Sequence, residues 1–196
     1  MLRIGLTGGI AAGKSTASAR FGELGALVVD HDELARRAVA PGSAGLVDIV
    51  REFGDRVIKD GALDRPALAA LVFDDAAARA RLNAIVHPSV FAMGRAADRQ
   101  ARVDGVGVVV HDIPLLVESA QGGDFDLVVT VAAPIDVRVA RMVERRGMTE
   151  TAARSRIAAQ ATDEARAAIA DVVLDGAGSE DALRAQVDEV WRTHVP

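Results

Sequence analysis

Apolar residues in this chain gather in short unbroken runs, separated by longer mixed stretches. The runs are Leu2 to Thr7, Ala26 to Val29, Val106 to Val110, Leu127 to Val131 and Val172 to Leu174. Continuous rather than alternating apolar character marks strands buried on both faces, as in parallel sheets. The intervening stretches read as helix, among them Ser15 to Glu23 and a final one from about Ser179 to Arg192. Strand and helix in alternation imply βαβ units and a doubly wound α/β fold with a five-stranded parallel sheet.

Two intervals exceed what a simple crossover needs. Residues 31–105 hold a turn at Asp60-Gly61, a helix start near Asp64 and a long helical stretch from Asp74 onward. His87-Pro88 is expected to interrupt that stretch, because proline disfavours helix in the residue before it. This interval reads as an inserted helical substrate lobe, placed at about 60–100. Residues 135–170 are helical and rich in arginine (Arg138, Arg141, Arg145, Arg146, Arg154, Arg156, Arg166), and read as a mobile lid over about 138–166. The whole of 1–196 is expected to be a single domain.

The segment GLTGGIAAGKST at 5–16 joins the first strand to the first helix. Gly8, Gly13, Lys14 and Ser15 stand at the spacing of a phosphate-binding loop, in the strand–loop–helix context that it requires. Glycines let backbone N–H groups turn toward phosphate oxygens, and the helix N-terminus adds partial positive charge. Lys14 suits the β- and γ-phosphates, and the Ser15 hydroxyl suits Mg²⁺. These are the features of a P-loop NTPase-type fold binding a nucleoside triphosphate.

Composition narrows the class. Aromatics are 3% of the chain, so the core rests on Ala, Val, Leu and Ile. A formal charge of −5 argues against general nucleic-acid binding. There is no cysteine, hence no disulfide or thiolate metal site. No apolar run approaches the ~20 residues of a membrane span, and the first strand begins too early to leave room for a signal peptide. The expectation is a cytoplasmic protein, monomeric or weakly homo-oligomeric, without nucleic-acid or membrane partners.

The notable polar residues fall at strand ends, where open α/β sheets bind ligands. Asp32 suits the orientation of an acceptor hydroxyl and acceptance of its proton; its alternative is a helix N-cap. Asp112, after an apolar strand, occupies a Walker B-like position for Mg²⁺; its alternative is a solvated loop start. The apolar Pro114, Leu115 and Leu116 suit a substrate wall, and Glu118 a functional group or a cap. Arg141 and Arg145 share a helix face and suit developing phosphoryl charge; their alternative is a solvated face with Glu144 and Glu150. Asn83, Arg65 and His87 are polar residues of the inserted lobe.

Taken together, these segments resemble the dephospho-CoA kinase family. GLTGGIAAGKST is similar to the family's GLTGGIGSGKST. Residues 28–36 resemble its D-x-D element, 60–65 its dG-x-[IL]-[DN]-R element, and 82–88 its L-N-x-I-x-H-P. Residues 112–118 match D-[IV]-P-L-L-[FV]-E, and 141–147 resemble the R-l-x-x-R lid motif. The resemblance extends over nearly the whole chain in order. It implies ATP-dependent phosphorylation of the ribose 3′-hydroxyl of dephospho-coenzyme A, giving coenzyme A and ADP, with ATP and Mg²⁺ required. It implies an ATP loop of Gly8, Gly9, Ala11, Ala12, Gly13, Lys14, Ser15 and Thr16, with Arg145 nearby, and Asp32 as the acceptor-activating group. Lys14 and Arg141 become the transition-state cations, and Arg65, His87 and Pro114 to Leu116 the acceptor site. Another P-loop kinase of small molecules or nucleosides is the alternative. A GTPase lacks support, since no N/T-K-x-D motif occurs, and a transport ATPase would need an LSGGQ-like segment.

Two departures from the family stand out. Ala11-Ala12 replaces Gly-Ser, which asks whether position 11 needs φ > 0. Asp175-Gly176 replaces the common Asp-Asn, so that an amide contact to adenine is missing or made by backbone. Some relatives carry a further C-terminal domain, and none is expected here.

Overall fold

The computed structural model describes residues 1–73, 75–119 and 122–195. The described residues form two compact units, Met1–Asp30 with Gln100 onward, and His31–Arg99.

The first unit is built on five parallel strands: β1 (Leu2–Gly8), β2 (Leu27–Asp30), β5 (Val108–Asp112), β6 (Leu127–Ala132) and β7 (Val172–Asp175), in the order β2-β5-β1-β6-β7. They are the five apolar runs, and their central members are buried along nearly their whole length, as two-sided coverage requires. The edge strands are more open: Leu27 and Val173 are 39% and 50% exposed. Helices α1 (Lys14–Glu23) and α9 (Glu180–His194) cover one face, packing Ala17, Phe21, Leu183, Val187 and Val190 against Ile4, Leu6, Val110 and Val129. Full burial of a side chain such as Phe21 contributes about 1.5–3 kcal/mol. Beyond β6 come α6 (Ile135–Arg146), α7 (Glu150–Ala158) and α8 (Asp163–Ala167). Val139, Met142, Ala153 and Ile157 form a small core of their own against Ile10 and Ala11 of the β1–α1 loop.

The second unit holds α2 (His31–Ala38), α3 (Ala44–Phe53), α4 (Arg65–Val72) and most of α5 (Ala76–Val103). The Asp60-Gly61 turn lies between two short antiparallel strands, β3 (Ile58–Lys59) and β4 (Ala62–Leu63). Both turn residues have positive φ, 53° and 76°, the conformation that makes Asp-Gly a two-residue hairpin. Asp64 caps α4 by accepting the Ala67 N–H at 3.0 Å. The expected start of the long helix at Asp74 lies outside the described residues.

The interruption expected at His87-Pro88 does not occur. Helix α5 runs through Pro88 without a break. Proline removes one backbone donor, but the turns on either side keep theirs, and helix cooperativity carries the element across the gap.

Candidate active site

The loop between β1 and α1 is the centre of the site. Gly13 takes the N-cap position of α1 at φ 116°, a region open to glycine and strained for other residues. Six other helices, α3, α4, α5, α7, α8 and α9, have a side-chain oxygen on their first-turn N–H groups. Helix α1 has none. The N–H groups of Gly13, Lys14 and Ser15 take no partner among the described residues, and a helix N-terminus left open in this way is an anion site.

Ala11 has φ 59°, so this position does call for the left-handed conformation. The methyl group there is strained by roughly 1–2 kcal/mol. Ala12, by contrast, is buried, and its N–H donates to Gly9 O at 3.0 Å, closing the first turn of the loop.

Lys14 forms an ion pair with Asp112 at the carboxyl end of β5. Asp112 is registered against Asp30 of β2 and Leu6 of β1, so two carboxylate residues end on neighbouring strands beside the loop. Among the described residues no cluster of three or more His, Cys, Asp or Glu forms a ready-made metal cage. The donor set of Ser15 hydroxyl and Asp112 carboxylate therefore suits a Mg²⁺ that draws its remaining ligands from phosphates and water.

A cavity of about 200 Å³ opens beside the loop. Ala11, Gly13, Ser15 and Thr16 line one side, Arg141, Arg145 and Arg146 of α6 another, and Gly176, Gly178, Ser179, Glu180 and Leu183 the third. Arg141 organises it. Its Nη1 donates to Ala11 O (3.1 Å) and Ala12 O (3.3 Å), and its Nη2 to Gly176 O (2.7 Å) and Gly178 O (3.4 Å). Arg145 pairs with Glu180 at 3.1 Å, both well exposed. Gly176 stands so close to the loop that a Cβ there would lie 1.9 Å from Ala12 O. The departure from Asp-Asn is thus accommodated by a close backbone approach, and Gly176 contributes its carbonyl to Arg141. Gly8 likewise has no room for a side chain, with Val131 O 2.8 Å from its would-be Cβ.

The expected substrate wall divides by exposure. Leu116 is fully buried against Ile113 and Val128, whereas Leu115 is 50% exposed. Pro114 O accepts the Thr7 hydroxyl at 3.4 Å. Glu118 acts as an acceptor for the Ala161 N–H at 2.9 Å, and Arg154, not Arg145, takes Glu150. Asp32 is exposed in the first turn of α2, one residue inside the helix rather than before it. Arg65 is exposed at the start of α4. His87 is half-buried against Phe91, ring centroids 5.4 Å apart, and burial holds its imidazole below the usual pKa. Asp32, Arg65 and His87 all belong to the second unit.

Gln160, which closes the family-like segment 156–160 but has no role legible in the sequence, reaches the loop at Ile10 with its side chain. Sequence reasoning also left unassigned the burial of Arg138 and Arg166, 3% and 2% exposed, around Asp163. Burial in an arginine-rich helical stretch leaves no signature in the order of residues.

No helix among the described residues is long and apolar enough to cross a membrane. Among solved structures, a Thermus thermophilus protein matches with a TM-score of 0.83 and 35% identity, over 98% of this chain and 97% of that one. A dephospho-CoA kinase from Mycolicibacterium paratuberculosis is 54% identical over 100% of this chain, which spans 48% of that relative's length. One from Thermobifida fusca is 46% identical over 97% of this chain and 95% of its own. The family profile described as dephospho-CoA kinase matches residues 2–181. With the phosphate loop, the strand-end aspartates and these matches in hand, the chain belongs to the dephospho-CoA kinase family.

Proposed function

We propose that the protein transfers the γ-phosphoryl group of ATP to the ribose 3′-hydroxyl of 3′-dephospho-coenzyme A, giving coenzyme A and ADP, the last step of coenzyme A biosynthesis. The observation that carries this reading is the open N-terminus of α1, with Lys14 and Asp112 paired beside it, in a chain of this family.

Each residue has a part. The N–H groups of Gly13, Lys14 and Ser15 receive phosphate oxygens, and Lys14 exchanges Asp112 for the β- and γ-phosphates. The cavity beside Arg141 receives the nucleotide. Asp32 orients the acceptor hydroxyl and accepts its proton as the new P–O bond forms, while the bond from the γ-phosphorus to the bridging oxygen breaks and ADP leaves. Ser15 and Asp112 would hold Mg²⁺, which when bound neutralises phosphate charge. Arg65, His87 and Pro114 to Leu116 are assigned to the acceptor, and Arg145 to the nucleotide. Arg141 would reach the transferring group only by releasing some of its carbonyls. We assign the protein to the cytoplasm, acting on a small molecule as a monomer or weak homo-oligomer, without nucleic acid.

The deciding experiment is coupled ADP release with four acceptors. ADP should appear with dephospho-coenzyme A and not with shikimate, gluconate or adenosine. Turnover with one of the latter and none with the former would replace this reading by another kinase of the same fold.

A further inference from the structure

After α7 the chain turns back, with Gln160 N–H donating to Ile157 O at 3.2 Å. This turn carries the Gln160 side chain to the phosphate loop, where its Oε1 accepts the Ile10 N–H at 2.8 Å. A backbone N–H can only donate, so the amide oxygen, not its nitrogen, faces Ile10. The Gly9–Ile10 peptide is thereby held at both ends: its N–H by Gln160, and its C=O by the Ala12 N–H at 3.0 Å. That same C=O bond closes the turn that places Ala11 in its left-handed conformation.

The turn is gripped from a second side. A Cβ on Gly9 would lie 2.0 Å from Arg138 Nη1 and 3.4 Å from Arg166 Nη1, so the Arg138 guanidinium fills the space a side chain would need and Arg166 stands next to it. One carboxylate, Asp163, bonds to both, at 2.9 and 3.0 Å. The two cations are buried, and their relation to Gly9 is fixed by packing rather than by solvent.

We propose that Gln160 is a positioning residue for phosphoryl transfer. It locks the Gly9–Ile10 peptide so that the open N–H groups of Gly13, Lys14 and Ser15 face the nucleotide, with Arg138, Asp163 and Arg166 as the backing. This rests on the nucleotide occupying the loop as proposed above. Nothing about it depends on the acceptor.

The test compares Gln160→Met, Gln160→Asn and Gln160→Glu. Methionine keeps the length without the acceptor, asparagine is one methylene short, and glutamate keeps an acceptor at the same reach. Losing one hydrogen bond should speed exchange of the Ile10 amide hydrogen about three- to tenfold in the Met and Asn variants, and glutamate should restore its protection. The Kd for ATP by calorimetry and the KM for ATP should rise by a similar factor in the Met and Asn variants, with the acceptor KM unchanged. A fall in melting temperature alone, with Ile10 exchange and ATP affinity as in the unaltered protein, would overturn the proposal. ATP binding by the unaltered protein checks the nucleotide reading separately, so the two can fail independently.

Discussion

Lys14 of the phosphate loop and Asp112 at the end of β5 are joined as an ion pair, across 98 residues of sequence. Both side chains are mostly shielded from water, so the pair is held in a low-dielectric setting. Lys14→Met should lower turnover by roughly 10²-fold or more and destabilise the fold by about 1–3 kcal/mol, because it leaves Asp112 without its cation. Adding Asp112→Asn should recover part of that stability and none of the activity. Denaturant titration and initial rates on both single variants and the double variant check this. Additive stability losses would show that the pair carries no coupling.

Ala11 sits at φ 59° where a methyl group is strained. Ala11→Gly should therefore stabilise the protein by about 1 kcal/mol despite the greater freedom of glycine in the unfolded chain. A melting temperature at or below that of the unaltered protein would mean that the loop relaxes around the methyl group.

Arg141 spends its Nη donors on four carbonyls, two from the phosphate loop and two from the turn after β7. Arg141→Ala removes this strut and should raise the KM for ATP several-fold as the loop and turn separate. If Arg141 also meets the transferring phosphoryl group, kcat falls by more than KM rises. Steady-state kinetics in ATP separates the two roles, and an unchanged KM would remove the strut from the account.

Asp32, exposed in the first turn of α2, is assigned to the acceptor hydroxyl. Asp32→Asn should cost about 10²-fold or more in kcat while the melting temperature shifts little. A near-normal rate would reduce Asp32 to a favourable charge at a helix N-terminus.

On the α1–α9 face, Glu23 pairs with Arg184 and Arg20, and Arg20 also takes Asp188. The Arg184 and Arg20 hydrogen bonds bring the Glu23 carboxyl down to about 2 from an ordinary 4.5. A lowered folded-state pKa means that its contribution is present above about 4.5 and is lost as pH falls toward 2. The melting-temperature difference between the unaltered protein and Glu23→Gln should then shrink from pH 6 to pH 3, and shrink further with salt. A difference constant across that range would show that the network adds nothing through charge.

Much of this was written in the order of residues. Five apolar runs became the five strands of the sheet, because a two-sided strand must be apolar throughout. The glycine spacing of 8–16 marked the loop, because only glycine reaches φ 116° before Lys14 without strain. Asp60-Gly61 announced its turn for the same reason. The sequence misled at Pro88, where a local preference yielded to the cooperativity of a long helix.

What only the tertiary structure decided is who meets whom across the chain. That Asp112 answers Lys14, that Gln160 holds Ile10, that Arg141 binds four carbonyls and that Gly176 leaves no space beside Ala12 are all contacts between distant segments. Sequence pattern is a record of local backbone preference and of burial. Partner choice between charged and polar groups depends on the register of strands and the rotation of helices, which emerge only when the core closes.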